Sequence, residues 1–242
     1  IVIKEVILPR MEHISFEPNP CFNYTIVIMK KLFARFLDLI LPRRPRRIRT
    51  ENRSLMDVPL DSANLESGGM SITTLMNYRD SPVEDLIRSL KYDGSKHAAN
   101  LCAEALADFL REEIAANQQF SSRRKLIVPV PLHRTRERER GFNQVDMVLR
   151  LLPQEFRNGT TSVHAPYALY RIRETRQQTH LPRDERIKNV SGAFAVSSQD
   201  IIRDAHVFLI DDVATTGATL ANAALALQNA GATVTLIAFA RA

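Results

Sequence analysis

The chain has 242 residues, 45% hydrophobic and 25% charged, with a net charge of +6 and a pI near 9.6. That length suits one sizeable α/β domain with an appendage, and the positive field favours an anionic partner: a phosphorylated small molecule, a nucleic acid or an acidic membrane surface. The absence of Trp and an aromatic content of 7% argue against a stacking platform for single strands, and two cysteines cannot complete a four-ligand zinc site.

Cys21 and Cys102 lie far apart, and Cys102 sits among Ala and Leu as a small core residue would, which points to a reducing, cytoplasmic compartment. The apolar stretch Thr25–Met29 is cut short by Lys30 and Lys31, so no membrane span is expected, and no cleavage site follows an apolar run at the start. Residues 1–28 show no sustained period and read as an upstream extension, with Met29 as a natural beginning.

Residues 29–70 read as an N-terminal helix and a basic linker. Leu32, Phe33, Phe36, Leu37, Ile40 and Leu41 recur at helical spacing over residues 30–41, and Pro42 stops the pattern. Arg43, Arg44, Arg46, Arg47 and Arg49 form a basic run, read as a solvated linker with an anion patch as the alternative. Residues 50–70 are rich in Ser, Asn, Asp and Gly and read as loop.

The compact domain is expected over 71–242. Ser81-Pro82-Val83-Glu84 has the form of a helix start with a Ser cap and a capping box, and Gly94 suits a left-handed stop. A second helix is expected over about 95–114, a strand over Lys125–Val130, a polar loop over 132–143, and a helix from Val145 to Leu152. Val207–Ile210 is an apolar run of the kind buried on both faces of a parallel sheet. A helix through Leu220, Ala223, Ala224 and Leu227 and a last strand over Thr233–Phe239 complete a βαβ unit.

The chemistry concentrates at Ile210-Asp211-Asp212-Val213-Ala214-Thr215-Thr216-Gly217-Ala218-Thr219. A buried parallel strand delivers this turn to the carboxyl edge of the sheet, where open α/β folds bind ligands. Gly217 lets a phosphate approach the backbone, and the amides of Ala214, Thr215, Thr216, Gly217, Ala218 and Thr219 can converge on it, with the dipole of the next helix behind them. Asp211 and Asp212 would repel a phosphate, but suit the vicinal hydroxyls of a ribose, which donate to carboxylates. The glycine-rich loops of other nucleotide sites are absent, as is any Ser/His/Asp or Cys/His constellation, so no catalytic residue is assigned.

Residues 207–220 resemble the signature of type I phosphoribosyltransferases, which bind phosphoribosyl pyrophosphate, and the wider spacing resembles the ComF family. The matching segments are Leu90-Lys91-Tyr92-x-Gly94, Val128-Pro129-Val130-Pro131-Leu132-His133, Arg140-Gly141-Phe142-Asn143-Gln144, Arg173-x-Thr175-x-x-Gln178-x-x-Leu181 and Arg186-x-x-Asn189-x-x-x-x-Phe194. The resemblance implies a type I phosphoribosyltransferase-like fold: a doubly wound, mainly parallel sheet flanked by helices, with a small N-terminal helical hood. It implies that Asp211 and Asp212 hold the ribose, that Ala214 to Thr219 hold the 5′-phosphate, and that Pro131, Leu132, His133 and Arg134 face the pyrophosphate. Arg173, Gln178 and Arg186 would belong to a segment that closes over the site. Mg²⁺ would ride mainly on the pyrophosphate and water, with no metal site built from side chains.

The implied partners are phosphoribosyl pyrophosphate or a related nucleotide, single-stranded DNA through the family's association with competence, and further copies of the chain in a homo-oligomer. In one departure from the family, Arg43–Arg49 stand where the cysteines of an N-terminal zinc ribbon would fall. His133 is open between a phosphate donor and a hydrogen-bonded loop residue, and Lys91 between reaching the site and capping its helix, the cap being favoured.

Overall fold

The computed structural model describes residues 44–116, 123–172 and 192–242. Two units are distinguished, Ile1–Arg44 and Pro45–Ala242; the second carries everything that follows. The expected helix over 30–41, Cys21, and the candidate residues Arg173, Gln178 and Arg186 lie outside the described residues.

The centre is a six-stranded sheet in the order β1-β2-β8-β7-β3-β4. Its strands are β1 (Ala63–Ser67), β2 (Met70–Asn77), β3 (Lys125–Pro129), β4 (Val163–His164), β7 (His206–Ala214) and β8 (Thr233–Arg241). Every neighbouring pair is parallel except β1 with β2, which form an antiparallel hairpin at one edge. Strands β5 (Leu169–Arg171) and β6 (Phe194–Val196) make a separate antiparallel pair. The fold class is therefore α/β with a mainly parallel sheet, as expected.

Helices cover both faces. On one lie α2 (Ser81–Asp93), α3 (Lys96–Ala116) and α5 (Gln144–Leu149), whose Leu86, Ile87, Leu90, Leu106, Leu110 and Leu149 pack with Phe208, Ile210 and Phe239 of the central strands. On the other lies α7 (Ala218–Asn229), whose Leu220, Ala223, Ala224 and Leu227 pack with Val207, Leu209 and Leu236 and with Leu169 and Phe194 of the small pair. Strand β7 is buried without a break from His206 to Ile210, as its apolar run requires.

Three elements differ from the sequence reading. Residues 50–70 are not an open loop, because β1 and the start of β2 already belong to the sheet; alternation hides them, since β1 buries only every other residue and does so partially. The basic run is not a solvated linker: Pro45–Glu51 form a helix, α1. Arg46 makes two bonds to Asp93, at 2.9 and 3.0 Å, and Arg49 makes two to Asp85, at 2.8 and 2.7 Å. The buried Thr50 of α1 bonds across to Ser89 Oγ at 3.2 Å, so α1 is docked on α2 by charge and hydroxyl contacts rather than an apolar stripe. The polar loop 132–143 contains a helix, α4 (Arg134–Arg140), whose alternating Arg and Glu gave no apolar period to read. A four-residue helix, α6 (Gln199–Ile202), precedes β7.

The cap of α2 also differs. Asp80 holds the N-cap position without a side-chain bond, and Glu84 pairs with Arg88 at 2.8 Å instead of closing a capping box. Gly94 does take the left-handed stop, at φ 55° and ψ 34°.

Candidate functional site

The turn after β7 is shaped by Gly217. Its φ of 71° is left-handed, and a Cβ there would collide with Ile72 Cδ1 and stand 2.8 Å from Ser67 Cβ. Only glycine meets both demands. Helix α7 starts at Ala218, whose N–H reaches Thr216 Oγ1 at 3.4 Å, and Ala221 N–H returns to the Gly217 carbonyl at 2.9 Å. Ala214 lies deeper than the signature suggests: it is buried, still paired with Arg241 in the sheet, and its carbonyl accepts from Ala242 N–H at 3.0 Å. The turn itself is thus Thr215–Gly217 at the N-terminus of a 12-residue helix, with Thr215 exposed and Thr219 in the first turn of α7.

The two carboxylates have different surroundings. Asp212 is 6% exposed; Lys91 Nζ of α2 stands 3.0 Å from its Oδ1, and the amide of Gln144 donates to its Oδ2. Gln144 is itself buried and accepts from Arg140 at 3.3 Å. Asp211 is only partly covered, and its Oδ1 accepts the Asp212 amide at 2.8 Å. Burial and the neighbouring Asp212 charge push the Asp211 carboxyl up to about 7, against the pull of that amide, Lys91 and Arg171.

These contacts give two of the sequence segments a physical meaning. In Lys91-Tyr92-x-Gly94, Lys91 meets Asp212, the Tyr92 ring carries the guanidinium groups of Arg46 and Arg140 at 5.5 and 5.7 Å, and Gly94 packs against Phe142. In Arg140-Gly141-Phe142-Asn143-Gln144, Gly141 ends α4, Asn143 caps α5 and donates to the Val130 carbonyl at 3.1 Å, and Gln144 reaches Asp212. Lys91 therefore meets Asp212, one of the expected site residues; capping its helix was the favoured reading. Gln144 was visible in the sequence only as part of a motif, and nothing in that motif names the carboxylate it serves.

Pro131, Leu132 and His133 line a cleft of about 850 Å³ at the carboxyl end of β3, together with Phe142, Tyr167 and Arg171. Arg134 is the first residue of α4. His133 Nδ1 faces Thr135, 3.1 Å from its hydroxyl and 3.4 Å from its amide, which places it as the cap of α4 as well as a cleft residue. None of residues 211–219 lines this cleft. On its wall, Asp146 pairs with His164 at 3.0 Å and with Arg150 at 2.7 Å. Burial raises the Asp146 carboxyl, but those two bonds outweigh it and hold the group below its ordinary range. Cys102 is fully buried, and burial, with the Asp212 charge, pushes its thiol up to about 12, which agrees with the core reading.

No family model matches the chain. The DNA utilization protein YhgH of Salmonella typhimurium is 34% identical over 155 residues, covering 63% of this chain and 64% of that protein's length. The YhgH of Shigella flexneri is 32% identical over 165 residues, 67% of this chain and 68% of its own. The competence protein ComFC of Streptococcus pneumoniae is 29% identical over 167 residues, covering 69% and 66%. The chain belongs to the ComF family. Among solved structures, the orotate phosphoribosyltransferase of Mycobacterium tuberculosis H37Rv in complex with Fe(III) dicitrate covers 79% of this ComF-family chain and 81% of its own, at 14% identity and a TM-score of 0.34, a likeness too loose to bear on the site. No helix among the described residues is long and apolar enough to cross a membrane.

Proposed function

We propose that this ComF-family chain binds phosphoribosyl pyrophosphate, with Thr215–Thr219 around the 5′-phosphate, the Asp211–Asp212 pair at the ribose, and Pro131–Arg134 toward the pyrophosphate. One observation carries the reading: a glycine-dependent turn pressed onto β1 and β2 presents the amides of Thr215, Thr216 and Gly217 at the start of α7. Among the described residues, these amides take no backbone acceptor. A phosphate dianion supplies the acceptors that such a turn lacks.

Among the described residues, no three His, Cys, Asp or Glu side chains come together as a metal cage. A Mg²⁺ at this site would be held by the substrate phosphates and water, since Mg²⁺ keeps several waters and needs few protein ligands. The ion would neutralise charge on the leaving pyrophosphate. In the transfer, a nitrogen of the acceptor forms a bond to the anomeric carbon as the bond to pyrophosphate breaks, and the acceptor's proton passes to solvent. The transition state resembles an oxocarbenium ion, so the protein's part is alignment and charge stabilisation rather than nucleophilic attack.

Titration calorimetry with phosphoribosyl pyrophosphate and Mg²⁺ tests binding, and pyrophosphate release with a panel of nitrogen bases tests transfer. No heat at about 1 mM ligand sinks the reading; binding without release leaves a nucleotide sensor.

The second reading is a non-catalytic accessory to DNA uptake. It is favoured by the relatives' names, DNA utilization protein and competence protein, and by the net charge of +6. Affinity for single-stranded DNA that falls steeply with salt supports it.

A further inference from the structure

We infer that the cleft at the carboxyl end of β3 binds the base of a mononucleotide against Tyr167 and Tyr170, as a site separate from the turn after β7. None of residues 211–219 lines it. It shares Pro131–His133 with the pyrophosphate contacts proposed above, and only the side on which it meets that ligand rests on the phosphoribosyl reading.

Tyr167 is 80% exposed and Tyr170 46%, yet both line one cleft together with Phe142 and Met147. Aromatic surface left open and gathered at one concave place marks a binding site, and a volume of about 850 Å³ suits a small molecule. Local structure holds this surface in place. In β5, Leu169 is buried in the core beneath α7, and alternation leaves the neighbouring Tyr170 outside. Tyr167 sits on the turn between β4 and β5, which is fastened at three points. Ala165 N–H donates to the Ile127 carbonyl at 2.9 Å, Ala168 N–H to the Ala165 carbonyl at 3.2 Å, and Ser197 N–H to the Ala168 carbonyl at 3.0 Å. Little ordering is left for a ligand to impose.

The charges on the walls select the ligand. Arg150 gives its Nε to Asp146 at 2.7 Å, but its side chain is 59% exposed and a guanidinium has further donors for a phosphate. Arg171 also lines the cleft, and its charge is felt at Asp211, so the cleft adjoins the candidate turn. Glu137, exposed on the cleft, can accept from an exocyclic amine such as that of adenine or cytosine. Two tyrosines serve one ring, whereas a strand needs a run of them, and aromatics are only 7% of the chain. The occupant is therefore a single nucleotide. It is not the acceptor of the proposed transfer: a nucleophile displacing pyrophosphate enters away from the leaving group, and Pro131–His133 are on the leaving-group side.

The test titrates the full chain with AMP by calorimetry, with ribose 5-phosphate present in excess to fill the turn after β7. AMP is expected to bind with Kd below about 1 mM. Tyr167→Phe should bind within about twofold of wild type, and Tyr167→Ala at least about tenfold more weakly, with Tm and the affinity for ribose 5-phosphate unchanged. Adenosine, which lacks the phosphate, should bind at least about fivefold more weakly than AMP. The inference is overturned if AMP does not bind, if ribose 5-phosphate displaces it, if Tyr167→Ala binds it normally, or if adenosine binds as tightly. A 12-residue oligodeoxythymidine that binds through Tyr167 where AMP does not would assign the cleft to a strand and overturn it too. Failure of AMP with phosphoribosyl pyrophosphate still bound sinks this inference alone. Binding of AMP that depends on Tyr167, with neither ribose 5-phosphate nor phosphoribosyl pyrophosphate bound, sinks the phosphoribosyl reading and upholds the cleft.

Discussion

Phe142 packs against Gly94 so closely that a Cβ at position 94 would stand 3.4 Å from two of its ring carbons. The end of α2 and the start of α5 are thereby brought together, and Lys91 and Gln144, each near one of these ends, arrive at the same carboxylate. Two short motifs that look independent in the sequence form one joint.

Gly217→Ala should be the most damaging small substitution in the turn. The new methyl meets Ile72 and Ser67, and the backbone must hold a left-handed angle that alanine resists. A loss of about 2–4 kcal/mol in stability is expected from urea unfolding, with phosphate binding lost as well. Replacing Ile72 by Val removes the nearest obstructing methyl and should recover part of the stability.

Asp85→Asn should unfasten α1. Asp85 is buried and accepts from both Arg49 and Arg53. The bond and charge of Arg49 lead in holding its carboxyl below the ordinary range despite the cost of burial, with Arg53 adding to them. A depressed carboxylate stabilises the fold above its unfolded pKa, and that contribution fades as pH falls through the folded value. The variant should therefore be less stable than wild type by about 1–2 kcal/mol at pH 7, and the two should converge below about pH 4. Circular-dichroism melts across that range check both points.

Asp211 has the opposite sign. Its carboxyl lies at about 7, above the value of a free side chain. A raised group contributes stability that is complete below the unfolded pKa and is lost as pH rises through the folded one. Wild-type Tm should decline between about pH 4 and 7 from this source, and Asp211→Asn should flatten the decline. At pH 8 the variant should melt higher by on the order of 5 °C. Ribose hydroxyls donate to the ionised form, so wild-type affinity for ribose 5-phosphate should rise across the same pH range.

Cys102 should be silent toward thiol reagents in the folded protein. It is fully buried, with its thiol pushed up to about 12, so almost no thiolate is present at pH 8. Iodoacetamide followed by peptide mass mapping should find Cys102 unmodified until denaturant is added.

Much of the fold was legible because it is written in period and punctuation. The uninterrupted apolar run of β7, the helical spacing of Leu86, Ile87 and Leu90, and the stop at Gly94 all appear where the sequence places them. What escaped lacks an apolar code. Helix α1 is held by Arg46 and Arg49, and β1 alternates only weakly at an edge, so both read as linker. At the candidate site, the left-handed turn at Gly217 could be read in advance because it is set locally. The pairing of Lys91 and Gln144 with Asp212 could not, since it depends on how distant helices cross the sheet.

The turn proposed to seat the phosphate has its floor in a hairpin from the beginning of the domain. Ile72 and Ser67 lie beneath Gly217, yet β2 and β7 are not neighbours, because β8 runs between them. Until Thr233–Arg241 has slotted into that gap, the loop has no bed to rest on and no fixed curvature. Ligand capture would then come at the end of assembly, making it a reporter of completed folding as much as of chemistry.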